Sequence, residues 1–228
     1  MERGLYIAAS GMLSEMARQD SIANDMANAS TPGYKADRTA QRSFDEMLLA
    51  SSRTGQAIGS LGTGVSIAAQ VTDLSAAPVK ETGEPLDFAV VGEGYFGVQT
   101  PEGVRYTRNG RFMTDGAGRL TDQLGNQVVG ANGGPVQVAA AGTVAPGQLG
   151  LFNLPDARKA GAGTFTGTPA GAAAGRIRSG ALETSGVDAA RSMVDMIASM
   201  RAFEAGQRVI TTIDETLGKA ANPVGSIS

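Results

Sequence analysis

Residues 5–34 read LYIAASGMLSEMARQDSIANDMANASTPGY, and this stretch decides how the rest of the chain is organised. Its apolar residues recur at steps of three, four and seven, which is the period of a coiled-coil helix. The repeat consists of Leu5, Ala9, Met12, Met16, Ala23 and Met26. It predicts a helix of about 25 residues that ends at the turn Ser30–Gly33. Because so narrow a stripe of Ala and Met cannot stabilise a long helix in water, this helix needs a partner.

A second apolar repeat, near the other end of the chain, is the candidate partner. Four of its positions are spaced by seven residues, and two methionines occupy the alternate position. The repeat consists of Met193, Met196, Met200, Phe203, Ile210 and Leu217. Ser185 and Asp188 resemble a capping box at its start, and Asn222-Pro223 is expected to end the helix.

The composition disfavours several classes of function. The formal net charge of −3 argues against binding a nucleic-acid backbone. The chain contains neither Cys nor His, which removes the commonest metal-ligand sets and the usual general base. We therefore expect no enzyme activity, no catalytic, cofactor or metal site, and no small-molecule substrate.

The N-terminal sequence also bears on cellular location. No apolar run approaches the ~20 residues of a transmembrane helix. Glu15, Arg18 and Asp20 interrupt any hydrophobic core of a cleavable signal. The protein is then expected either to stay in the cytosol or to leave by a route that reads no cleaved signal.

The middle of the chain has the period of two that is typical of β-strands. Short apolar alternations separated by turn residues predict an antiparallel all-β domain over residues 65–155. Asn109-Gly110 predicts a hairpin, and Asp115–Gly118 and Leu124–Asn126 predict further turns. One more strand is expected at Leu149–Leu154.

Together these patterns predict an α+β protein. Long N- and C-terminal helices would form a coiled-coil-like layer, and the middle of the chain would form a central antiparallel all-β domain. The predicted segments are an assembly helix (1–34), a connector (35–64), the β-domain (65–155), a linker or low-complexity return segment (156–183) and a second assembly helix (184–221). Within the connector, Phe44, Met47 and Leu48 predict a short helical turn, and residues 54–64 a flexible loop.

Two further patterns need interpretation. Residues 92–97 fit G-x-G-x-x-G, but β-like sequence follows instead of the helix that a dinucleotide site requires. We interpret them as a tight turn that leads into a hairpin. Three arginines alternate with Tyr106 and Phe112, which in an acidic protein predicts an exposed arginine face opposite a buried aromatic face. These arginines are Arg105, Arg108 and Arg111.

Four blocks of the sequence resemble the rod and hook proteins of the bacterial flagellum. They are IANDMANASTPGYK at 22–35, LDFAV and GEGYF within 86–96, YTRNGRF at 106–112, and GALETSGV at 180–187 followed by MI at 196–197 and RAFE at 201–204. The motif residues are Asn24, Asn28, Thr31, Gly33, Tyr34, Leu182 and Glu183. Asp25, Gly186 and Met200 depart from the usual Asn, Asn and Gln of this family.

The resemblance implies a structural subunit of the flagellar basal-body rod, of the FlgF/FlgG type. The hook protein carries an extra large central domain, for which this chain has no room. The choice between proximal rod (FlgF) and distal rod (FlgG) stays open. The two apolar repeats would then be the subunit interface.

The resemblance also implies partners and a location. The subunit would leave through the flagellar type III export apparatus without a cleaved signal peptide. With its own copies and neighbouring rod and hook proteins, it would build a helical tube across the periplasm that transmits torque from motor to hook. The alternative is a secreted or surface β-domain adhesin with coiled-coil ends.

Overall fold

The computed structural model of the chain describes residues 2–43, 47–50, 57–61 and 64–225. The chain divides into two compact units. The first, which we call the helical unit, consists of Met1–Met26, Asp37–Val71 and Ala189–Ser228. The second, which we call the β unit, consists of Ala27–Ala36 and Thr72–Asp188.

Both terminal helices belong to the helical unit, as the two apolar repeats predict. Helix α1 spans Glu2–Ala27 and helix α2 spans Ala189–Gly225. The predicted end of the second helix at Asn222-Pro223 is wrong, because Pro223 lies within the last turn of α2. A proline there removes one N–H donor only one turn before the helix ends. No helix among the described residues is both long and apolar enough to cross a membrane.

Four strands complete the helical unit. They are β1 (Asp37–Ser43), β2 (Met47–Ala50), β3 (Ala57–Leu61) and β4 (Val65–Thr72), of which β1 pairs with β4 and β2 with β3. The helical turn predicted at Met47 and Leu48 is wrong, and so is the loop predicted at 57–61. Met47 lies opposite Leu61 in an antiparallel ladder, so hydrogen bonds across the ladder replace local ones. The other residues of these two predictions, namely Phe44, 54–56 and 62–63, lie outside the described residues.

The β unit confirms the prediction of a central antiparallel, sheet-rich region. Its strands are β5 (Val79–Glu81), β6 (Phe88–Val91), β7 (Tyr95–Thr100), β8 (Gly103–Thr107), β9 (Met113–Thr114), β10 (Leu120–Thr121), β11 (Gln127–Val129), β12 (Leu151–Phe152), β13 (Arg158–Gly161), β14 (Thr164–Thr166), β15 (Arg176–Ser179) and β16 (Ala181–Glu183). The main sheet has the order β13-β14-β8-β7-β11-β10-β9, and β12 also pairs with β7. Two smaller pairs, β15 with β6 and β16 with β5, complete the unit.

Residues 156–183, which the sequence assigns to a linker, contain the four strands β13 to β16. Strand β14 pairs with β8, which ties the segment into the main sheet. Lys159 on β13 donates a hydrogen bond to the backbone oxygen of Lys35 (3.0 Å) and lies 4.0 Å from the centre of the Tyr34 ring. These contacts join residues distant in sequence, which low local complexity does not reveal.

Strand β7 is central to the β unit because both of its faces are buried. Alternate residues of a strand point to opposite faces. Phe96 and Val98 lie in one hydrophobic cluster, and Tyr95 lies in another. At Gly97 a Cβ would lie 2.8 Å from the ring of Phe152, so the glycine leaves room for that ring. The larger cluster comprises Phe88, Val90, Phe96, Val98, Phe112, Leu120, Val128, Val136, Val144 and Leu149.

The glycine-rich stretch 92–97 forms the predicted turn. Gly92 and Gly94 take φ values of +95° and +124°, which favour glycine. The chain then enters β7, which pairs with β8 in a hairpin. The interpretation as a turn that leads into a hairpin is therefore confirmed.

The hairpin predicted at Asn109-Gly110 is wrong. Strand β8 pairs with β7 and β14, whereas β9 pairs with β10, so the strands that flank this dipeptide are not partners. Neither residue has the positive φ that a type I′ turn needs. The backbone N–H of Phe88 donates instead to the oxygen of Gly110 (2.9 Å). A Cβ on Gly110 would lie 1.7 Å from the Phe88 oxygen, so the glycine permits a close backbone approach.

The two other predicted turns are confirmed, and they share one hydrogen-bonding pattern. Asp115 Oδ1 accepts hydrogen bonds from the backbone N–H groups two and four residues later (2.9 and 2.8 Å), and Oδ2 accepts one from Arg119 Nε (2.8 Å). Asp122 repeats the pattern at 2.9 and 2.8 Å, with the Asn126 amide in place of the guanidinium. The backbone hydrogen bond from Arg119 is the main reason why the pKa of Asp115 is lower than its ordinary value.

This lowered pKa predicts a pH-dependent contribution to stability. The ionised Asp115 stabilises the fold fully above its ordinary pKa near 3.8, and the contribution is lost as the pH falls through the lower folded value. We expect Asp115→Asn to be less stable than wild type at pH 6 and to approach it in strong acid. Urea unfolding between pH 2 and 6 measures the difference. A difference that stays constant over this range would contradict the prediction.

Gly110 offers a test of the close backbone approach. We expect Gly110→Ala to lower the free energy of unfolding by at least about 2 kcal/mol, because the new methyl group must displace the Phe88 backbone. Gly116→Ala is the matched control, since no atom lies within 4 Å of the added Cβ. It should change the free energy by less than about 0.5 kcal/mol. Equal urea midpoints for the two variants would show that position 110 tolerates a side chain.

Candidate assembly surface

The two terminal helices contact each other in antiparallel orientation. Ser199 Oγ on α2 lies 2.6 Å from Glu15 Oε2 and 3.3 Å from the Glu15 backbone oxygen on α1, within hydrogen-bonding distance of both. Near the start of α1, a Cβ on Gly4 would lie 3.5 Å from Ile213 Cδ1. Residues earlier in α1 therefore contact residues later in α2, as expected for two antiparallel helices.

The contact between the helices uses one half of the predicted interface repeat. Met196, Phe203 and Ile210 lie three, four and eleven residues from Ser199, so they share the face of α2 that meets α1. The half-buried members of the repeat are Ala9, Met12, Met26, Met196, Phe203 and Ile210. The exposed members are Leu5, Met16, Ala23, Met193, Met200 and Leu217.

Sequence reasoning missed five further large apolar residues that are exposed on these helices. They are Tyr6, Leu13, Val194, Ile197 and Val209. Two of them could have been found, because Leu13 lies three residues from Met16, and Ile197 lies four from Met193 and three from Met200. With the predicted members, ten large apolar side chains on the described helices are 40–78% exposed.

A groove with a volume of about 430 Å³ lies between the helices and strand β4. Small residues from both helices line it, and Val65 of β4 borders it. The small lining residues are Gly4, Ala8, Gly11, Ala202 and Gly206. A Cβ on Gly206 would lie 2.7 Å from Met12 Cγ, whereas a Cβ on Gly11 would have no atom within 4 Å. The groove is therefore mostly apolar, with the carboxylate of Glu15 among its lining groups.

A buried ion cluster lies in the β unit, where the segments leading to the two helices meet. Glu183 Oε1 accepts hydrogen bonds from Lys35 Nζ (2.6 Å) and the backbone N–H of Ala77 (2.9 Å). Glu183 Oε2 lies 3.3 Å from Arg108 Nη1. Lys35 Nζ also donates to the backbone oxygen of Ser75 (2.6 Å). The side chains of Glu183, Lys35 and Arg108 are only 0, 1 and 5% exposed.

Backbone hydrogen bonds hold the same two segments side by side. The N–H of Gly33 donates to the oxygen of Glu183 (2.9 Å), and the N–H of Gly186 donates to that of Tyr34 (2.8 Å). Gly33 has φ +67°, and a Cβ there would lie 2.3 Å from the carbonyl carbon of Arg108. Both the conformation and the space at position 33 therefore require glycine.

The capping box predicted at Ser185 is wrong. Ser185 Oγ donates to the backbone oxygen of Asn28 (3.0 Å) and accepts from the N–H of Val187 (3.2 Å). Helix α2 begins only at Ala189, beyond the reach of this hydroxyl. Ser185 thus links the two segments instead of capping the helix.

Most of the predicted motif residues meet at this junction. Gly33, Tyr34, Leu182 and Glu183 are buried there. Thr31 Oγ1 lies 3.2 Å from Asn28 Oδ1 and supports the turn after α1. The structure places Asn24, in contrast, at an exposed position of α1.

The exposed face predicted for the three arginines is wrong for Arg108, which is 4% exposed. Its Nη2 donates to the backbone oxygen of Gly92 (3.0 Å), and its guanidinium carbon lies 4.9 Å from the centre of the Tyr95 ring. The sequence contained the signal, because Arg108 lies two residues after buried Tyr106 and so shares its face. Arg111 is exposed, and Tyr106 and Phe112 are buried as predicted.

Comparison with known proteins assigns the regions that contain the terminal helices and the ion cluster to one family. Residues 5–35 match the model of flagella basal body rod proteins, 89–149 the flagellar hook protein FlgE/F/G D1 domain, and 178–222 the C-terminal region of flagellar basal body rod FlgEFG proteins. The basal-body rod protein FlgF of Salmonella typhimurium is 33% identical, over 96% of this chain and 97% of the relative. The chain belongs to the flagellar basal-body rod protein family. It is a structural rod subunit of the FlgF/FlgG type.

Other relatives of this rod protein agree with the assignment. The hook-basal body complex protein FlhO of Bacillus subtilis is 30% identical over the whole of both chains. The rod protein FlgG of the same organism is 29% identical over 97% of this chain and 99% of the relative. The predicted resemblance is therefore confirmed over nearly the full length.

Each family region of the rod protein contributes one charge to the buried cluster. Lys35 lies in the first matched region, Arg108 in the second and Glu183 in the third. In the described ranges, no group of three or more acidic side chains could hold a metal ion. The contacts of Glu183 with Lys35 and Arg108 link these three parts of the chain.

Counting the charges in the cluster predicts which of two substitutions lowers the free energy of unfolding more. Glu183→Gln leaves two buried cations without a counter-ion, so we expect a loss of about 3–5 kcal/mol. Lys35→Met leaves one cation and one anion, and the loss should be smaller. Urea unfolding of the full chain measures both.

The exposed ion pair between Arg178 and Glu81 provides the control. Glu81→Gln should cost no more than about 1 kcal/mol. If Glu183→Gln were as mild as Glu81→Gln, the cluster would not hold the two segments together.

Proposed function

We propose that this protein assembles with its own copies and with neighbouring rod and hook proteins into a helical tube, and that the tube transmits torque from motor to hook. The observation that carries the proposal is the apolar surface of the terminal helices, where ten large side chains are 40–78% exposed. A monomer leaves this surface in water, whereas contacts between copies would bury it.

The hydrophobic free energy that this surface can still gain favours contacts with several neighbouring subunits over contact with one. Full burial of a large apolar side chain contributes about 1.5–3 kcal/mol, and half-exposed side chains have roughly half of that still to gain. Ten of them amount to something on the order of 10 kcal/mol per subunit. Association itself costs about 4–15 kcal/mol in lost freedom. One contact that uses part of the surface would therefore be weak, whereas a lattice that uses all of it would gain the full amount.

The proposed packing of the helices is a coiled-coil-like layer shared among subunits. The hydrogen-bonding contact between Ser199 and Glu15 and the half-buried line from Met196 to Ile210 support a paired arrangement within each chain. The exposed members of the repeat would then contact neighbouring copies. Heterologous contacts whose rotation does not close into a ring build open helical assemblies.

The ion cluster is the proposed point through which force passes between the two segments that connect to the helices. The segments that lead to α1 and α2 are joined in the β unit by the Glu183 carboxylate and by the backbone bond between Gly186 and Tyr34. A force carried by either segment would reach the same buried point. Buried, hydrogen-bonded charges resist separation because each would be left unpaired.

Export by the flagellar type III apparatus without a cleaved signal peptide is part of the proposal. Membership of the rod family supports it. A strain without the gene should stop building the basal body at the rod, and a plasmid copy should restore swimming. Dependence of export on the general secretory pathway would favour the adhesin alternative instead.

A single exposed position tests the assembly role. Met200 is 51% exposed, so Met200→Asp should change the free energy of unfolding by less than about 0.5 kcal/mol. A strain that carries only this variant should lack complete rods, because a carboxylate cannot be buried between subunits without a partner. Electron microscopy of isolated basal bodies and swimming in soft agar measure the effect.

The control for this variant is Ala198→Asp, which introduces the same charge at an exposed position on the opposite side of the same helix. It should leave swimming intact. Complete rods built from Met200→Asp would refute the role of this surface.

A further inference from the structure

We propose that Asn132 is a site of spontaneous covalent modification, at which the side-chain amide is converted to a carboxylate. Asn132 and Gly133 lie in the loop that follows strand β11. The reaction needs no enzyme, and water is its only co-reactant, so it does not depend on the proposed function.

An Asn-Gly dipeptide favours this reaction because no side chain shields the backbone nitrogen of the glycine. The Gly133 nitrogen attacks Cγ of Asn132, and a new C–N bond closes a five-membered succinimide ring. The proton of that nitrogen passes through water to the side-chain amide, which leaves as ammonia. Water then adds to one of the two ring carbonyls and breaks its bond to the nitrogen. The product is aspartate or isoaspartate, depending on which carbonyl the water attacks.

The structure brings the reacting atoms of Asn132 and Gly133 together. Asn132 Oδ1 accepts a hydrogen bond from the backbone N–H of Gly134 (3.2 Å), so the carboxamide folds over the intervening peptide bond. Cγ carries this oxygen and therefore lies beside the Gly133 nitrogen. Both residues of the dipeptide are exposed, so water reaches them.

The loop also has the space and the backbone freedom to form the ring. Three of the residues 130–134 are glycine, and no described atom lies within 4 Å of a Cβ built on Gly133. One hydrogen bond opposes the reaction, because the N–H of Gly133 donates to the oxygen of Gly130 (3.0 Å). The net contribution of such a bond is small, so breaking it slows the attack by about tenfold at most.

The other Asn-Gly dipeptide of the chain, Asn109-Gly110, has the opposite surroundings. Asn109 Oδ1 accepts from the N–H of Arg111 (3.1 Å), so its side chain is folded in the same way. Gly110, however, is buried, and a Cβ there would lie 1.7 Å from the Phe88 oxygen. The Gly110 oxygen also accepts from the Phe88 N–H (2.9 Å). Closing the ring would separate these two backbones, so we expect the fold to protect Asn109.

The modification changes both the charge and the backbone of the loop. Either product adds one negative charge, which takes the formal net charge from −3 to −4. Isoaspartate also inserts one methylene group into the main chain after position 132. The N–H of Gly130 donates to the oxygen of Gly134 (2.7 Å) across this loop. A longer main chain between these two residues weakens that closure.

Ageing of the purified full chain tests the proposal. Peptide mapping by mass spectrometry measures the conversion of each asparagine after incubation at pH 6 and at pH 8. In the native chain Asn132 should convert at least about ten times faster than Asn109, because Asn109 must wait for local opening. The rate at Asn132 should rise with pH, since the attacking nitrogen must lose its proton. Conversion at Asn132 that is no faster than at Asn109 overturns the proposal.

The same measurement in concentrated guanidinium chloride separates the effect of the fold from that of the sequence. Both dipeptides lose their native surroundings there, so they should convert at similar rates. Asn109 should accelerate by at least about tenfold on unfolding, because its protection is lost. If Asn132 accelerates as much as Asn109, the native loop protects both alike, which overturns the proposal.

Asn132→Gln is the matched variant, because its longer side chain would have to close a larger, less favourable ring. Labelling of aged protein with an isoaspartate methyltransferase should be strong for the wild type and nearly lost for this variant. The variant should unfold at the same urea concentration as the wild type, since position 132 is exposed. Labelling that is as strong in Asn132→Gln as in the wild type would place the reaction at another residue and overturn the proposal.

Discussion

The buried carboxylate of Glu183 is the interaction on which the β unit depends. It forms ion pairs with two cations that are themselves almost fully buried, Lys35 and Arg108. Removing a charge from water costs several kcal/mol, so neither cation is stable there without the carboxylate. The face of the Tyr95 ring, 4.9 Å from the Arg108 guanidinium carbon, provides further compensation for the second cation. The cluster can form only when residues from three distant parts of the chain have met.

That requirement explains why the junction is specific as well as stable. Gly33 must take φ +67° against the Arg108 backbone so that Lys35 can reach the carboxylate. Hydrophobic contacts would allow many alternative alignments of the two segments, whereas one carboxylate with fixed donors allows few. The ion cluster thus favours one alignment of the two segments within the β unit.

The two units distribute apolar surface in different ways. The β unit buries most of its large apolar residues, chiefly in two clusters on either side of β7. The described helices instead leave ten large apolar side chains exposed and place glycines where they contact each other. A chain with only 5% aromatic residues has little material for a large core. An amphipathic helix gains most of its stability from packing rather than from its own helix propensity.

The sequence by itself determined those structural features that depend on residues close together in the chain. The helix Glu2–Ala27, the turns at 115–118 and 124–126 and the hairpin after Gly94 follow from periodicity and turn chemistry, which act over a few residues. Tertiary structure decided the rest. Gly110 serves a backbone contact with Phe88, and Arg108 is buried because Glu183 meets it. Residues 156–183 form strands because β8, β6 and β5 offer edges to β14, β15 and β16. In each case the deciding partner lies far away in sequence, so no local pattern could identify it.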